Sequence, residues 1–302
     1  MKDFKIAFSA KHVYQLPAGH RFPIAKYSLV HDQLLYEGVI NTQQVLDAGL
    51  IGEEILLSTH TPAYWQKLVS QTLSEKEVRK IGLPVHEQSI KRARNTVQGT
   101  LFASQQALQM GLGLNLAGGT HHAYPGHGEG FCIFNDIAVA ANYILQEKLA
   151  ARILIIDLDV HQGNGTAVIF QQQPRVFTFS MHGKNNYPHK KENSDLDIEL
   201  EKGTGDDKYL QILQVNLNQL IDQFQPDLIF YQAGVDVLST DLLGTLALSK
   251  SGCRQRDEMV IEKCHHLQIP LVIVMGGGYS RRLADIVDAH CNTCKTAIDI
   301  YH

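Results

Sequence analysis

From about residue 87 onward, long amphipathic stretches with helical spacing alternate with short, β-branched apolar runs, and this alternation limits the fold more than any other feature of the chain. It is typical of an α/β domain whose helices cover a parallel sheet. Runs that are continuously apolar predict strands buried on both faces. The predicted strands are Ile6–Phe8, Leu112–Ala117, Ile153–Asp157, Val176–Ser180, Leu228–Gln232 and Leu271–Met275.

Composition and charge narrow the class of protein. The 302 residues are 44% hydrophobic and 19% charged, which is ordinary for a globular domain, and no repeat or Pro/Ser-rich linker divides them. We therefore expect residues 1–302 to form one domain. A net charge of −4 without a polybasic segment argues against nucleic acid as a partner. Because neither a signal peptide nor a long apolar span is visible, we expect a soluble cytoplasmic protein with no membrane partner.

The cysteines do not suggest a disulfide framework. There are five, scattered over a large chain, whereas small secreted scaffolds carry an even number at close spacing. Cys291 and Cys294 form a CxxC pair in an apparent C-terminal helix, without a second pair or a βαβ context. We expect ordinary packing or surface cysteines there, and the sequence assigns the pair no role.

Polar residues and glycines gather where the predicted strands end. Since parallel strands present their carboxyl ends at one edge, where ligands of open α/β sheets bind, the pattern predicts a site at that edge. The segments are Gly118–His122, Asp157–His161, Ser180–His182, Ala233–Asp236 and Gly276–Tyr279.

Within these segments, Asp159 and His161 are two residues apart, so in an extended segment their side chains point the same way. They could bind one ion together, and Asp236 could supply a third ligand. Three protein ligands with an open position are typical of a catalytic zinc site. The alternative is that Asp159 and His161 only cap the following helix.

His121 and His122 follow a Gly-Gly turn and could present both rings to one cavity. Beside a metal candidate and an acid such as Asp157, the two histidines suggest a pair that transfers protons. A structural role is the alternative for each ring taken singly. The glycines Gly276–Gly278 would let backbone approach a ligand closely, but they lack the GxGxxG spacing of a nucleotide-binding turn.

Together these residues lie in segments that resemble the signature segments of the histone deacetylase family, in the family's order and over nearly the whole chain. The wording GEGFC, DVHQGNGT and NYP followed by SDLDIEL resembles most closely class IV enzymes and their bacterial relatives. The four main segments are Gly118–Asp136, Asp157–Thr166, Gln232–Asp236 and Gly276–Ser280.

The resemblance implies the arginase/deacetylase fold, with a central parallel sheet of about eight strands and helices on both faces. It implies zinc on Asp159, His161 and Asp236, with iron(II) or cobalt(II) as substitutes. It further implies that the tandem histidines act as acid and base and that a water attacks an acyl-lysine amide. The implied catalytic residues are His121, His122, Asp157 as the partner of His121, Asn164 as the partner of His122, and Tyr279 as a donor to the substrate carbonyl.

The resemblance also implies sites around the catalytic centre. A structural potassium or sodium ion would lie near the zinc, and a second such ion would lie further along the chain. The first ion would bind at Asp157, Asp159, His161, Ser180 and Met181, and the second at Phe170, Gln173 and Val176. A narrow acyl-lysine channel would be lined by Gly130, Phe131, Tyr187 and Gly277.

Two features depart from the class I pattern that the family offers. Asn164 stands where those enzymes have an aspartate, and Gly82-Leu83-Pro84 lacks an aspartate to clamp the substrate backbone, although Glu87 is close enough in sequence to replace it. The oligomeric state and the acyl chain stay open.

Three other functions compete with the lysine deacylase. A binuclear manganese hydrolase would need further carboxylates where Gln162 and Asn164 stand. An acylpolyamine hydrolase would favour an acidic entrance, which Asp195, Asp197 and Glu199 could supply, although an ordinary surface segment is the simpler interpretation. A non-enzymatic binding module would predict loss of ligands, histidines or tyrosine, and all are present.

Overall fold

The computed structural model describes residues 4–11 and 14–301. In these residues, eight strands form one sheet in which every pair of neighbours is parallel, in the order β2-β1-β3-β8-β7-β4-β5-β6. The strands are β1 Ile6–Ala7, β2 Val45–Leu46, β3 Leu112–Asn115, β4 Ile153–Asp157, β5 Val176–Gly183, β6 Leu196–Leu200, β7 Leu228–Gln232 and β8 Leu271–Val274. The expected single-domain α/β fold with a parallel sheet is confirmed.

Ten α-helices in the described residues connect and cover these strands. They are α1 Lys26–Tyr36, α2 Glu53–Leu57, α3 Pro62–Val69, α4 Glu75–Ile81, α5 Glu87–Met110, α6 Asp136–Gln146, α7 Asn164–Phe170, α8 Asp206–Phe224, α9 Lys250–His266 and α10 Leu283–Tyr301. One group packs α5 against α6, and another packs α10 against α1 and α9; β3 contacts both α5 and α10. None of the described helices has the length and apolar character needed to cross a bilayer.

The longest helix, α5, shows how local sequence sets the element boundaries. The ring of His86 accepts from the Ser89 N–H in a capping box, which satisfies a backbone donor that would otherwise lack a partner. At the other end Gly111 adopts a left-handed conformation with φ 88°, which ends the helix directly before β3. The chain therefore turns from a long surface helix into a buried central strand within one residue.

The central strands form the core because both of their faces are covered. All five residues of β4 and all five of β7 are buried, and burial of an Ile, Leu or Phe side chain contributes about 1.5–3 kcal/mol. Their bounds are those that the sequence predicts. By contrast, β3 and β8 end earlier than predicted, at Asn115 and Val274, while β5 continues to Gly183 because β6 pairs with it as far as Leu200.

Both edge strands, β2 and β6, were missed in the sequence analysis. Each pairs with one neighbour only, so its sequence carries little of the continuous apolar signal that identifies a strand buried on both faces. The polar alternation of Leu196–Leu200 suits an edge position. The fold thus differs from the prediction at its edges and agrees with it at its centre.

Candidate active site

Five neighbouring strands in the middle of the strand order are parallel, so their carboxyl ends lie side by side at one edge of the sheet. They are β3, β8, β7, β4 and β5. The five polar segments predicted from the sequence follow these same strands. Residues separated by more than a hundred positions, such as Asp159 and Gly277, are therefore in hydrogen-bond contact. This edge is where a doubly covered parallel sheet offers a crevice for ligands.

Asp159, His161 and Asp236 form the candidate metal centre. Their ligand atoms lie within 4.8 Å of one another, and all three residues are buried. Nδ1 of His161 is 3.0 Å from Oδ1 of Asp159 and 3.1 Å from Oδ2 of Asp236. Ligands about 2.0 Å from a tetrahedral zinc ion would stand roughly 3.3 Å apart, so the spacing suits one ion. Residues 4–11 and 14–301 contain no second cluster of this kind.

The electrostatics of these three side chains also suit a cation. Burial and the neighbouring Asp159 carboxylate raise the pKa of Asp236 to about 7. Burial alone would lower the pKa of His161, but its hydrogen bonds to both carboxylates raise it to about 10. Two carboxylates held this close and away from water require a positive charge between them. A divalent ion can supply that positive charge in place of a proton, so the residues fit the metal that the sequence suggests.

Gly277 makes room for this cluster. Its N–H donates to Oδ2 of Asp159 over 2.7 Å, and a Cβ at this position would lie 1.9 Å from Oδ2 of Asp236. Any side chain would therefore displace a candidate ligand. We expected Gly277 in the wall of the substrate channel; the structure places it against the carboxylates of Asp159 and Asp236 and outside the described lining of the cavity.

The tandem histidines have different partners. Nδ1 of His121 is 2.6 Å from Oδ2 of Asp157, whereas Nδ1 of His122 is 2.6 Å from Oδ1 of Asn164. Their Nε2 atoms lie 3.1 Å apart. Burial lowers the pKa of His121, but the Asp157 carboxylate outweighs it and the net shift is upward. Burial together with the neighbouring His121 holds the pKa of His122 well below its usual value.

The loop that carries the histidines is anchored by Asp136, which was not singled out from the sequence. Its Oδ1 accepts from the backbone N–H and the hydroxyl of Thr120, and its Oδ2 accepts from Gly119 N–H and from the Thr100 hydroxyl. Asp136 is the first residue of α6 and is fully buried. An acid in the first turn of a helix, inside a segment already quoted for its resemblance, was the available signal.

Tyr279 follows the glycine-rich loop after β8. Its backbone N–H donates to Oδ2 of Asp241 over 2.6 Å, which sets the course of the chain beyond Gly278. Among the described residues the phenol hydroxyl has no hydrogen-bond partner, and the side chain lines the cavity described below. Burial and the nearby carboxylates raise the pKa of Tyr279 well above its usual value, so the hydroxyl keeps its proton and can donate it to a ligand.

A cavity of about 390 Å³ leads from the surface to His161, His122 and Tyr279. Its wall includes three of the four residues predicted for the channel: Gly130, Phe131 and Tyr187. Gly130 has φ 55°, and a Cβ there would lie 2.5 Å from Cδ2 of His122. Glycine is therefore needed at this position for backbone to pack against the histidine ring.

Basic side chains line the mouth of the cavity. They include Arg21, Arg79 and Lys80, of which Arg79 pairs with Glu75 and Lys80 with Glu129. No carboxylate belongs to the described lining. The acids considered for an acidic entrance lie elsewhere: Asp195 accepts from the Thr178 N–H and hydroxyl. This surface differs from what a polycationic substrate would favour.

Further acids and amides named in the sequence analysis also have structural partners. Glu87, considered as a clamp for the substrate backbone, pairs instead with Lys91 one turn along α5, at 2.5 Å. Gln162 donates to the carbonyl oxygen of Glu192 and to Oδ1 of Asp197. The Gln162 amide is therefore engaged by Glu192 and Asp197.

The positions suggested for monovalent cations lie in two places. Asp157 and Ser180 are partners in the β4–β5 register, directly beside the candidate metal ligands. In the second set, Gln173 N–H donates to the Phe170 carbonyl and Val176 N–H donates to the Gln173 carbonyl, so these residues form one tight connection from α7 to β5.

The chain is similar to known proteins in both sequence and structure. A family model described as the histone deacetylase domain matches residues 20–294. An uncharacterised protein of Picosynechococcus sp. is 46% identical over 298 residues, 99% of each chain. Histone deacetylase 2 of Arabidopsis thaliana is 31% identical over 277 residues, 89% of this chain and 72% of that protein. The crystal structure of the HDA15 HD domain superposes with a TM-score of 0.83 over 98% of this chain and 88% of its own, at 24% identity, and so shares the fold.

Proposed function

Because the chain belongs to the histone deacetylase family and is therefore a hydrolase of acetyl-amide bonds, we propose that it is a zinc-dependent deacylase acting on the amide of an acylated lysine. The observation that carries the proposal is the convergence, at the floor of one cavity, of the Asp159–His161–Asp236 cluster, the tandem histidines and the unpartnered Tyr279 hydroxyl. We further propose that residues 1–302 form one catalytic domain.

Asp159, His161 and Asp236 would hold the metal. When bound there, zinc lowers the pKa of a coordinated water to about 7 and polarises a carbonyl group as a Lewis acid. Iron(II) or cobalt(II) would suit the same oxygen and nitrogen donors.

The two histidines divide the proton transfers between them. His122 is neutral and accepts a proton as water attacks the carbonyl carbon, since its pKa lies well below the usual value. His121 is held by Asp157 and keeps its charge more readily. When the carbon–nitrogen bond breaks, the leaving amine takes a proton from the pair, and after the carboxyl group gives up the second proton of the water the products are a carboxylate and an ammonium ion. The Tyr279 hydroxyl donates to the carbonyl oxygen while that oxygen carries developing negative charge.

The substrate class follows from the mouth of the cavity. We propose acyl-lysine in a peptide or protein rather than an acylpolyamine, because the described lining includes Arg21 and offers no carboxylate to a second or third ammonium group, while Arg79 and Lys80 are paired with Glu75 and Glu129. Peptides with acidic residues beside the acylated lysine should bind better than peptides with basic ones. Phe131 and Tyr187 would enclose the aliphatic part of the lysine.

Several finer assignments belong to the same proposal. The GEGFC and DVHQGNGT segments support a class IV type of enzyme. The two sets of positions near β5 would bind structural potassium or sodium. All five cysteines are free, which supports a reducing, cytoplasmic location.

A direct test uses the purified protein, metal-free and then reconstituted with zinc, iron(II), cobalt(II) or manganese. Acetyl-lysine peptides with acidic or basic flanks, longer acyl-lysines and acetylated polyamines are compared by kcat/KM. We expect activity with one equivalent of zinc. We expect kcat/KM to be highest for the peptide with acidic flanks, lower for the peptide with basic flanks and lowest for the polyamine. Activity that needs two manganese ions, or that is confined to polyamines, would replace this proposal by one of its rivals. Asp195→Asn serves as the control variant: Asp195 lies outside the described lining of the cavity, so the order of substrates should be that of the wild type.

A further inference from the structure

Glu129 is a buried carboxylate that the mechanism above does not use. It lies between the tandem-histidine loop and α6, and its residue is only 5% exposed. Its Oε1 accepts from Nδ2 of Asn164 over 3.2 Å and from the hydroxyl of Tyr187. Its Oε2 lies 2.6 Å from Nζ of Lys80 and 3.4 Å from Nε2 of His127. Four groups from four separate segments therefore converge on one side chain.

We propose that Glu129 is a positioning residue, which orients the Asn164 amide and through it sets the tautomer of His122. The role in catalysis rests on the proposed deacylase function. The structural part of the proposal is that Glu129 orients the Asn164 amide, and it depends only on the observed contacts.

The orientation of an asparagine amide has to be inferred from its neighbours, because its oxygen and nitrogen have nearly the same shape. Here the neighbours decide it. An ionised carboxylate only accepts hydrogen bonds, so the NH₂ end of Asn164 must face Glu129. Nδ2 of Asn164 also lies 3.0 Å from the Tyr124 hydroxyl. The carbonyl end, Oδ1, therefore faces Nδ1 of His122.

The consequence for His122 is a fixed tautomer. Since Oδ1 of Asn164 is an acceptor, Nδ1 of His122 must carry the proton, and the lone pair of Nε2 is left to accept one. A flipped amide would donate to Nδ1 and move the ring proton to Nε2, where it would block the base. The flipped arrangement would also direct the amide oxygen at the Glu129 carboxylate, which opposes it electrostatically.

Glu129 remains an acceptor throughout the working pH range. Burial raises its pKa, but hydrogen bonds from His127, Lys80 and Tyr187 outweigh burial and lower it to about 2. The same carboxylate holds Tyr187, whose ring meets His122 edge to face with centroids 5.0 Å apart. Glu129 thus orients the base through Asn164 on one side and through the channel wall on another.

Two substitutions of Glu129 separate the acceptor from the charge. Glu129→Gln keeps an oxygen that can face Asn164, and its amide nitrogen replaces the oxygen that faces Lys80 and His127. Glu129→Met removes the acceptor. We expect kcat of Glu129→Gln within about threefold of the wild type and a fall of about 10- to 100-fold for Glu129→Met, with KM and metal content little changed. His127→Gln is the matched control, because it alters a partner of Oε2 and the ring stacked on Tyr124 but leaves Oε1 of Glu129 in place, and it should stay within about threefold.

A reciprocal exchange tests whether Glu129 acts through position 164. Asn164→Asp places two carboxylates together and should lose activity, whereas Asn164→Asp combined with Glu129→Gln gives the new carboxylate a donor again and should recover about tenfold of the loss. If Glu129→Met lowers kcat by the same factor in an Asn164→Ala background as in the wild type, the coupling is absent and the proposal is overturned.

The final measurement does not depend on activity. Nitrogen-15 spectra of histidine-labelled protein, with the His122 signals assigned by a His122→Gln variant, report which ring nitrogen carries the proton. We expect Nδ1–H in the wild type and in Glu129→Gln, and a mixture of tautomers in Glu129→Met. An unchanged tautomer in Glu129→Met would refute the inference even in an active enzyme, while the expected spectra in a protein without deacylase activity would leave it standing and reject the proposed function.

Discussion

The substitution Tyr279→Phe tests the oxyanion donor with the least disturbance to the rest of the protein. The hydroxyl has no hydrogen-bond partner among the described residues, so its removal leaves no protein group unsatisfied. The ring keeps its neighbours: its centroid is 5.9 Å from that of Phe131 and 6.4 Å from that of Phe22, and the Lys26 ammonium lies 5.6 Å from it. We therefore expect the free energy of unfolding to change by less than about 0.5 kcal/mol.

The catalytic cost should be much larger than the structural one. One donor that acts chiefly in the transition state is worth about 10²–10³ in kcat, or roughly 3–4 kcal/mol. Since the Tyr279 donor acts chiefly in the transition state, substrate binding should depend on it little, and KM should stay close to that of the wild type. The assay is kcat and KM on an acetyl-lysine peptide, measured together with zinc content and the urea midpoint.

Tyr36→Phe provides the control, because that ring is 87% exposed and the substitution removes the same atom at a distant surface. We expect it to match the wild type in every measurement. A Tyr279→Phe enzyme with full zinc occupancy and a kcat within about threefold of the wild type would refute the assigned role.

Three further predictions concern the metal, the histidine loop and pH. Asp236→Asn should abolish zinc binding and activity together, because two remaining ligands rarely hold the ion; full zinc occupancy, measured by atomic absorption, would remove Asp236 from the ligand set. Asp136→Ala should lower the free energy of unfolding in urea by about 3 kcal/mol, since four donors lose a charged acceptor; a change under about 1 kcal/mol would contradict this anchoring role. The buried ring of His60 uses both nitrogens, with the Tyr124 carbonyl and the Asn135 N–H, and burial lowers its pKa from 6.5 to about 4. As the pH falls below about 6.5, the unfolded chain takes up a proton at His60 while the folded protein keeps the ring neutral, so stability is lost. The wild type should therefore lose about 2 kcal/mol more unfolding free energy than His60→Gln between pH 7 and pH 5; equal losses would show that another group is responsible.

The centre of the fold was predictable because its signals are local. A strand covered on both faces must be apolar along its length, and β4 and β7 were predicted with their observed bounds for that reason. Edge strands obey a weaker rule, since one partner and one exposed side leave their composition almost free. For that reason β2 and β6 emerged only from the pairing of backbone groups in the structure.

The candidate site residues were likewise visible in the sequence. Asp159 and His161 follow one strand at a spacing that sends both side chains to one side, and His121 and His122 are adjacent. Short-range spacing decides such groups, because neighbouring residues move together with the backbone. Asp236 was proposed as a third ligand because it also follows a strand, and the resemblance added the role of Tyr279.

The supporting contacts depend on the tertiary structure, because each joins residues that only the closed chain brings together. Glu129 meets Asn164 across 35 positions, Asp241 meets Tyr279 across 38, and Lys26 donates to the Gly276 carbonyl across 250. No periodicity or spacing encodes such a pair, since Glu129, Asp241 or Lys26 taken alone resembles an ordinary surface charge in the sequence. Local sequence therefore determined the central strands and the candidate site residues of this protein, whereas the orientation of those side chains was decided by buried groups whose partners the packing of distant segments selects.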